Sequence, residues 1–118
     1  MTDAPAPARL HVSSAPGGRA VRIVIGGELG DADVARAEGL LAELDQPSIE
    51  LAVLDLRDLA FVDARVLGLI ERLRARARRQ RVELVLVRAR PAAQRALEFA
   101  GVTDRLRFVD NPAHVSRG

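Results

Sequence analysis

Two short runs of almost unbroken apolar residues, 51–56 and 82–87, constrain the fold of this chain most strongly. A strand that is apolar at nearly every position is typical of a sheet covered on both faces, and such strands usually pair in parallel. Around these runs apolar residues recur at helical spacing instead, as in Val66, Ile70 and Leu73. Helices that alternate with buried strands predict an α/β fold with parallel strands and right-handed crossovers.

The remaining segments complete the predicted order β-β-α-β-α-β-α-β. Residues 10–13 and 19–25 flank a Pro-Gly-Gly turn signal and predict an antiparallel hairpin, and residues 106–109 predict a last short strand. A chain of 118 residues is long enough for one domain. We therefore expect three parts along the chain, which are a disordered lead-in at 1–8, a single domain at 9–112 and a tail at 113–118.

The helix ends carry their own signals. Asp33 and Asp63 each precede an apolar helical stripe and are placed to cap the first and the second helix. The first of these stripes covers residues 34–44. Pro91 suits the first turn of the third helix, and Gly101 suits its end.

Composition excludes several kinds of site. The absence of cysteine excludes disulfides, thiolate metal sites and thiol catalysis, and the only two histidines, His11 and His114, lie near opposite ends of the chain. All 18 basic residues are arginine, so the lysine of a phosphate-binding loop does not exist here. The sequence Gly26-Gly27-x-x-Gly30 lacks the first glycine of the dinucleotide fingerprint and favours a tight connection between a strand and a helix.

Three aspartates, Asp55, Asp58 and Asp63, surround the end of the first apolar run, where carboxylates could hold Mg²⁺. A turn role for Asp58 and a cap role for Asp63 are the favoured interpretations, because no nucleophile or basic phosphate clamp accompanies them. We therefore expect no metal, no cofactor and no enzymatic activity. No segment approaches the ~20 apolar residues that span a bilayer, and the N-terminus has no signal-peptide core, so we expect a cytoplasmic protein that does not contact membranes.

The second predicted helix is unusually basic, with seven arginines and one acid in residues 65–81. Arg65, Arg72, Arg76 and Arg79 fall within one stripe of about 60° on the helix surface, which Leu69 borders as an exposed apolar residue. Three interpretations remain open, which are a solvated arginine face, a docking surface for an acidic protein partner, and a nucleic-acid surface. The last is the least favoured, because the aromatic residues that stack on bases amount to 3% of the chain and are all phenylalanine.

The segment Leu-Ala-Phe-Val-Asp-Ala-Arg-Val-Leu-Gly at 59–68 resembles the signature of STAS domains (sulfate transporter and anti-sigma factor antagonist), which reads roughly apolar-x-Phe-apolar-Asp-Ser-Ser-Gly-Leu-Gly. The sequence Gly27-Glu28-Leu29, the pair Arg90-Pro91 and the last predicted strand also resemble the family. The resemblance covers residues 9–112 and implies a mostly parallel sheet with an N-terminal antiparallel strand and helices mainly on one face. It further implies a bacterial partner-switching protein that binds an anti-sigma factor of the serine-kinase type, which phosphorylates a serine at the start of the second helix.

The chain departs from this pattern where the phosphate would be attached. The phosphoacceptor serine aligns with Arg65, its neighbours with Ala64 and Val66, and the aspartate of the family's Gly-Glu-Leu-Asp with Gly30, one residue before Asp31. We therefore expect no phosphosite, and a protein that binds an anti-sigma factor or related regulator without the serine switch.

The expected partner surface comprises Gly30, Asp31, Asp63, Ala64, Arg65, Val66, Leu67, Leu69, Arg72 and Arg76. The alternative is a sensory or scaffold STAS module that binds a small ligand or joins a larger complex. Leu69 and the edge of the hairpin would also suit a homodimer.

Overall fold

The structure, a computed structural model, describes residues 7–114 and is built on a five-stranded sheet in the order β1-β2-β3-β4-β5. Strand β1 (Arg9–Ser14) pairs antiparallel with β2 (Ala20–Gly26). Strands β3 (Leu51–Asp55), β4 (Glu83–Val87) and β5 (Arg107–Val109) then follow in parallel. The predicted α/β class, the antiparallel hairpin and the parallel pairing are confirmed.

Three helices connect the parallel strands, namely α1 (Asp31–Leu40), α2 (Ala64–Arg79) and α3 (Pro91–Phe99). The buried apolar residues of all three helices belong to one cluster on one face of the sheet, as the resemblance implies. Short 3₁₀ segments complete the described chain at Leu41–Asp45, Thr103–Arg105 and Pro112–His114. None of the helices in residues 7–114 is long and apolar enough to cross a membrane.

Strand β3 is buried at all five of its positions, which explains why its sequence is apolar up to Asp55 at its end. Ala52 and Leu54 pack on the helix side, whereas Leu51 and Val53 belong to a second, smaller cluster on the opposite face. The chain after β5 returns across that second face, because Pro112 lines a small groove together with residues of β1, β2 and β3. The side chains of a central strand therefore find apolar partners on both sides of the sheet.

The start of α1 differs from the prediction. Gly30, and not Asp33, is the residue before the first helical turn, and Asp33 is the third residue of the helix. The Asp33 carboxylate nevertheless accepts a hydrogen bond from the Gly30 N–H at 2.8 Å, so it still satisfies a backbone donor at the helix end. The helix also ends before residue 44, because its last predicted turn is the 3₁₀ segment Leu41–Asp45.

The two predicted ends of the chain fall largely beyond the described residues. Residues 1–6 of the predicted lead-in at 1–8 and residues 115–118 of the predicted tail at 113–118 lie outside them. Within the described part, residues 113 and 114 belong to the last 3₁₀ segment, which follows β5 closely.

Candidate functional site

The carboxyl ends of β2 and β3 bring two loops together at one edge of the sheet. Gly27 forms an isolated parallel bridge with Leu59, its N–H donates to the Asp58 carbonyl at 2.8 Å, and the Ala60 N–H donates to the Gly27 carbonyl at 3.0 Å. A Cβ on Gly26 would lie 3.0 Å from the Asp58 Cβ, and Gly27 has a φ of 71°. The glycine pair is therefore required by a tight connection, as the sequence indicates.

The bridged loops lead directly into the N-termini of α1 and α2. One carboxylate oxygen of Asp63, Oδ1, accepts hydrogen bonds from the backbone N–H groups of Arg65 at 3.0 Å and Val66 at 3.2 Å. This arrangement satisfies two amides of the first turn, so the predicted cap of α2 is confirmed. Because both amides donate to Oδ1, the second carboxylate oxygen of Asp63, Oδ2, can accept hydrogen bonds from a side chain.

Arg65 uses that second oxygen and reaches across to α1. Its Nε and Nη2 lie 3.0 and 2.8 Å from Asp63 Oδ2, and its Nη1 lies 3.4 Å from Asp31 Oδ1. The guanidinium lowers the pKa of the Asp63 carboxyl, and Asp63 in turn raises the pKa of Arg65. We call this group of Asp31, Asp63 and Arg65 the helix-start clasp.

The clasp is the first member of a row of ion pairs that joins α1 and the 3₁₀ segment after it to α2. Arg72 Nε lies 2.7 Å from Glu38 Oε1, and Arg76 contacts Asp45 through two hydrogen bonds of 3.0 and 2.9 Å. Both helices connect parallel strands and therefore run side by side in the same direction. Three of the four arginines in the predicted stripe thus pair with acids of the same chain. Neither the solvated-face interpretation nor the docking interpretation includes such pairing.

Two members of the expected partner surface are not available to a partner in this conformation. Leu69 is 1% exposed and packs in the main core, so the prediction that it is exposed is wrong. Leu69 lies three residues after Val66 and four before Leu73, which places all three on one helical face. Val66 itself is 2% exposed. The burial of Leu69 also removes one of the two arguments for a homodimer.

The other predicted residues remain at the surface to different degrees. The Asp31 side chain is 93% exposed and that of Arg65 is 44% exposed, while Ala64 is exposed as well. Gly30, Asp63 and Leu67 are partly buried beside them. Arg72 and Arg76 lie further along α2 in the ion-pair row. The Arg72 side chain is half exposed, and that of Arg76 is more buried.

The three aspartates considered as magnesium ligands are engaged separately. Asp55 is buried at the end of β3, where Arg22 and Arg57 donate to it, and these hydrogen bonds lower its pKa to about 2 against the opposing effect of burial. Asp58 pairs with Arg9 at 3.1 Å. Asp63 caps α2. Among residues 7–114, no group of three acidic or histidine side chains is placed to hold a metal ion.

One exposed aromatic residue at this edge was not singled out by the sequence. Phe61 lies between the glycine bridge and the cap of α2, and it is 53% exposed. In the sequence it is part of an apolar loop cluster with Leu59 and Val62, and residue type alone does not separate the three. The structure does, because Leu59 is fully buried and Val62 is partly buried.

The mostly parallel sheet, the helices on one face and the joined helix starts define an α/β domain of the STAS type. The chain belongs to the STAS domain family, whose family model matches residues 21–114. A search of curated protein sequences finds no significant match.

Solved structures of anti-sigma factor antagonists have the same fold. The unphosphorylated form of the antagonist SpoIIAA aligns with a TM-score of 0.73 and 15% identity, covering 89% of this chain and 91% of that one. An antagonist from Mycobacterium paratuberculosis aligns with a TM-score of 0.70 and 18% identity, covering 95% and 93%. The phosphorylated form of SpoIIAA from Bacillus aligns with a TM-score of 0.69 and 15% identity, covering 89% and 95%. The chain is therefore a STAS domain that resembles anti-sigma factor antagonists in structure.

Proposed function

We propose that this protein is a non-enzymatic, cytoplasmic regulator that binds an anti-sigma factor of the serine-kinase type, or a related regulator, without being switched by serine phosphorylation. The observation that carries the proposal is the position of Arg65 in the first turn of α2, where the family resemblance places a phosphoacceptor serine. A guanidinium cannot take that serine's part in phosphoryl transfer.

The surrounding sequence offers no replacement acceptor. Residues 49–102 contain no serine, threonine or tyrosine, and this range includes β3, α2, β4 and α3. Phosphorylation would add a charge of about −2 and three strong acceptor oxygens to the surface. Because the segment around the start of α2 carries no hydroxyl residue, the partner would meet a surface whose charge this segment keeps constant.

The helix-start clasp links the two parts of that surface. Arg65 contacts Asp63 on its own helix and Asp31 on α1, so the two helix starts are tied together by one side chain. The proposed contact surface is the accessible part of the expected set beside the clasp, namely Gly30, Asp31, Asp63, Ala64, Arg65 and Leu67, without Arg72 and Arg76, which pair with Glu38 and Asp45. Control would then lie in the abundance of the protein or in a competing partner.

Binding to the purified kinase-type anti-sigma factors of the same genome tests this proposal by isothermal titration calorimetry. We expect one of them to bind the wild-type protein, and Ala64→Trp to abolish that binding by placing a large side chain on the contact surface. Ala100→Trp is the matched control, because Ala100 is also exposed but lies at the far end of α3. The proposal fails if no such factor binds, or if both variants bind like wild type.

A ligand-binding module is the second candidate, and one observation favours it. A groove of about 290 Å³ lies between α1 and α2 and is lined by Glu38, Leu41, Arg72, Ala75, Arg76 and Arg79. Its volume is near the lower end of small-molecule sites, and its arginines suit a small anion. A ligand would raise the melting temperature of the protein in a screen of nucleotides and organic anions, whereas a flat screen would remove this candidate.

A further inference from the structure

We propose that Phe61 is the apolar anchor of the partner-binding surface, and that the partner presents an apolar socket with a cationic rim. This inference rests on the proposed function, since it concerns the partner that the site beside the helix-start clasp would bind. It adds to the contact surface a residue outside the expected set, and it states the chemistry of the partner's matching surface.

The exposure of Phe61 is unusual among the described residues. Only Phe61 and Phe99 are exposed large hydrophobic residues there, at 53% and 92%. The third phenylalanine, Phe108, is partly buried, and Arg88 lies 5.6 Å from its ring centre. Aromatic residues in a central, well-packed position are the usual source of most binding energy in protein interfaces. Of the two exposed rings, only Phe61 lies next to the clasp.

The loop that carries Phe61 is fixed by hydrogen bonds both before and after this residue in the chain. Leu59 is fully buried and donates from its N–H to the Leu56 carbonyl at 3.0 Å, and the Ala60 N–H donates to Gly27. Two residues after Phe61, Asp63 caps α2 through two backbone amides. A ring displayed on a loop that is already ordered loses little conformational entropy when a partner covers it, which favours binding.

The charges beside Phe61 indicate the sign of the partner. Residues 27–31 and 59–65 of the two bridged loops and the helix starts contain three carboxylates, of Glu28, Asp31 and Asp63, against one guanidinium, of Arg65, while the adjoining Asp58 is paired with Arg9 and Arg90. Glu28 is exposed, and the Asp31 side chain is almost fully so. Complementary charge steers association and rejects wrong partners, so a cationic rim around the socket fits this surface.

Calorimetric titration of Phe61→Ala, against the anti-sigma factor that binds wild type, tests the anchor. We expect the dissociation constant to rise at least 30-fold, while Phe99→Ala, the matched control, stays within twofold of wild type. Glu28→Arg is expected to weaken binding as well, with a smaller change at high salt. The melting temperature of Phe61→Ala should stay near wild type, which separates loss of contact from loss of folding.

The outcomes distinguish the two proposals. If wild type binds and Phe61→Ala binds equally well, the anchor is wrong and the proposed function stands. If Phe99→Ala loses as much affinity as Phe61→Ala, the anchor is also wrong, because the effect is then not local to the clasp. If wild type binds none of the anti-sigma factors, the proposed function fails and this inference fails with it.

Discussion

Arg65 joins the N-termini of two helices, because its Nη1 lies 3.4 Å from Oδ1 of Asp31, a residue 34 positions earlier in the chain. The same guanidinium contacts Asp63, the cap of its own helix. The residue that the resemblance aligns with the family's serine therefore takes part in a contact between α1 and α2. The helix dipole alone would disfavour a cation at the first turn of α2. Here the cation lies between two carboxylates, those of Asp31 and Asp63.

The cap of α2 should contribute measurably to stability. Asp63→Ala removes the acceptor of two backbone N–H groups, and we expect the free energy of unfolding to fall by about 1 kcal/mol in urea denaturation. Asp63→Asn retains an acceptor oxygen and should lose clearly less. Equal losses in the two variants would show that the carboxylate charge, rather than the cap, stabilises this helix start.

The buried Asp55 should make stability depend on pH in the acid range. Arg57 and Arg22 lower its pKa to about 2 from 3.8, so its stabilising contribution is complete above about pH 4 and is lost as the pH falls towards 2. A shift of this size corresponds to about 2 kcal/mol, at 1.36 kcal/mol per pKa unit. Urea denaturation from pH 5 to 2 should show this loss in wild type and not in Asp55→Asn.

Asp58→Asn is the control for that experiment, since Asp58 lies near the same strand end but is half exposed. Its stability should fall with acid in parallel with wild type. A wild-type profile that matches Asp55→Asn would contradict the role given to the Asp55 carboxylate.

The burial of Leu69 can be tested directly. Leu69→Ala removes a fully buried side chain from the main core, and we expect a loss of about 3 kcal/mol in the free energy of unfolding. Leu67→Ala, two residues earlier and only partly buried, should lose about 1 kcal/mol or less. Similar small losses in both variants would restore the prediction that Leu69 is exposed.

The end of α2 contains a strained residue. Arg81 has a φ of 57°, and the bonds from Val82 N–H to the Ala77 carbonyl and from Arg81 N–H to the Arg78 carbonyl form a helix-ending motif that usually has glycine at this position. Arg81→Gly should therefore raise the free energy of unfolding by roughly 0.5–1 kcal/mol. Gln80→Gly, at a residue in the ordinary helical region, should lower it. A destabilised Arg81→Gly would show that the arginine side chain stabilises this turn.

The fold was predictable because its signals are local. The almost unbroken apolar run of β3 indicates a strand buried on both faces, and Asp63 precedes a helical stripe at the spacing of a cap. The ion-pair row was not predictable in the same way. Asp31, Glu38 and Asp45 recur every seven residues, but their pairing with arginines of α2 depends on how the two helices align after folding.

The candidate site was predictable only in part. The clasp residues Asp31, Asp63 and Arg65 were all selected from the sequence, because the resemblance marks both loops. The prediction for Leu69 is wrong because the buried face of α2 is wider than the stripe of Val66, Ile70 and Leu73. The sequence does not single out Phe61. The burial of Leu59 and the exposure of Phe61 depend on the bridge between Leu59 and Gly27, which residue types alone do not predict.

The central proposal, a partner surface that phosphorylation cannot switch, is tested most directly by incubating the protein with the kinase-type anti-sigma factor found to bind it and with Mg-ATP. The affinity of the pair is then measured, and the intact mass of the protein is determined. A serine-bearing antagonist that the same kinase phosphorylates serves as the control for kinase activity. We predict that the mass of this protein stays unchanged and that its affinity stays within twofold with or without ATP. Addition of a phosphoryl group together with ATP-dependent release of the partner would contradict the account.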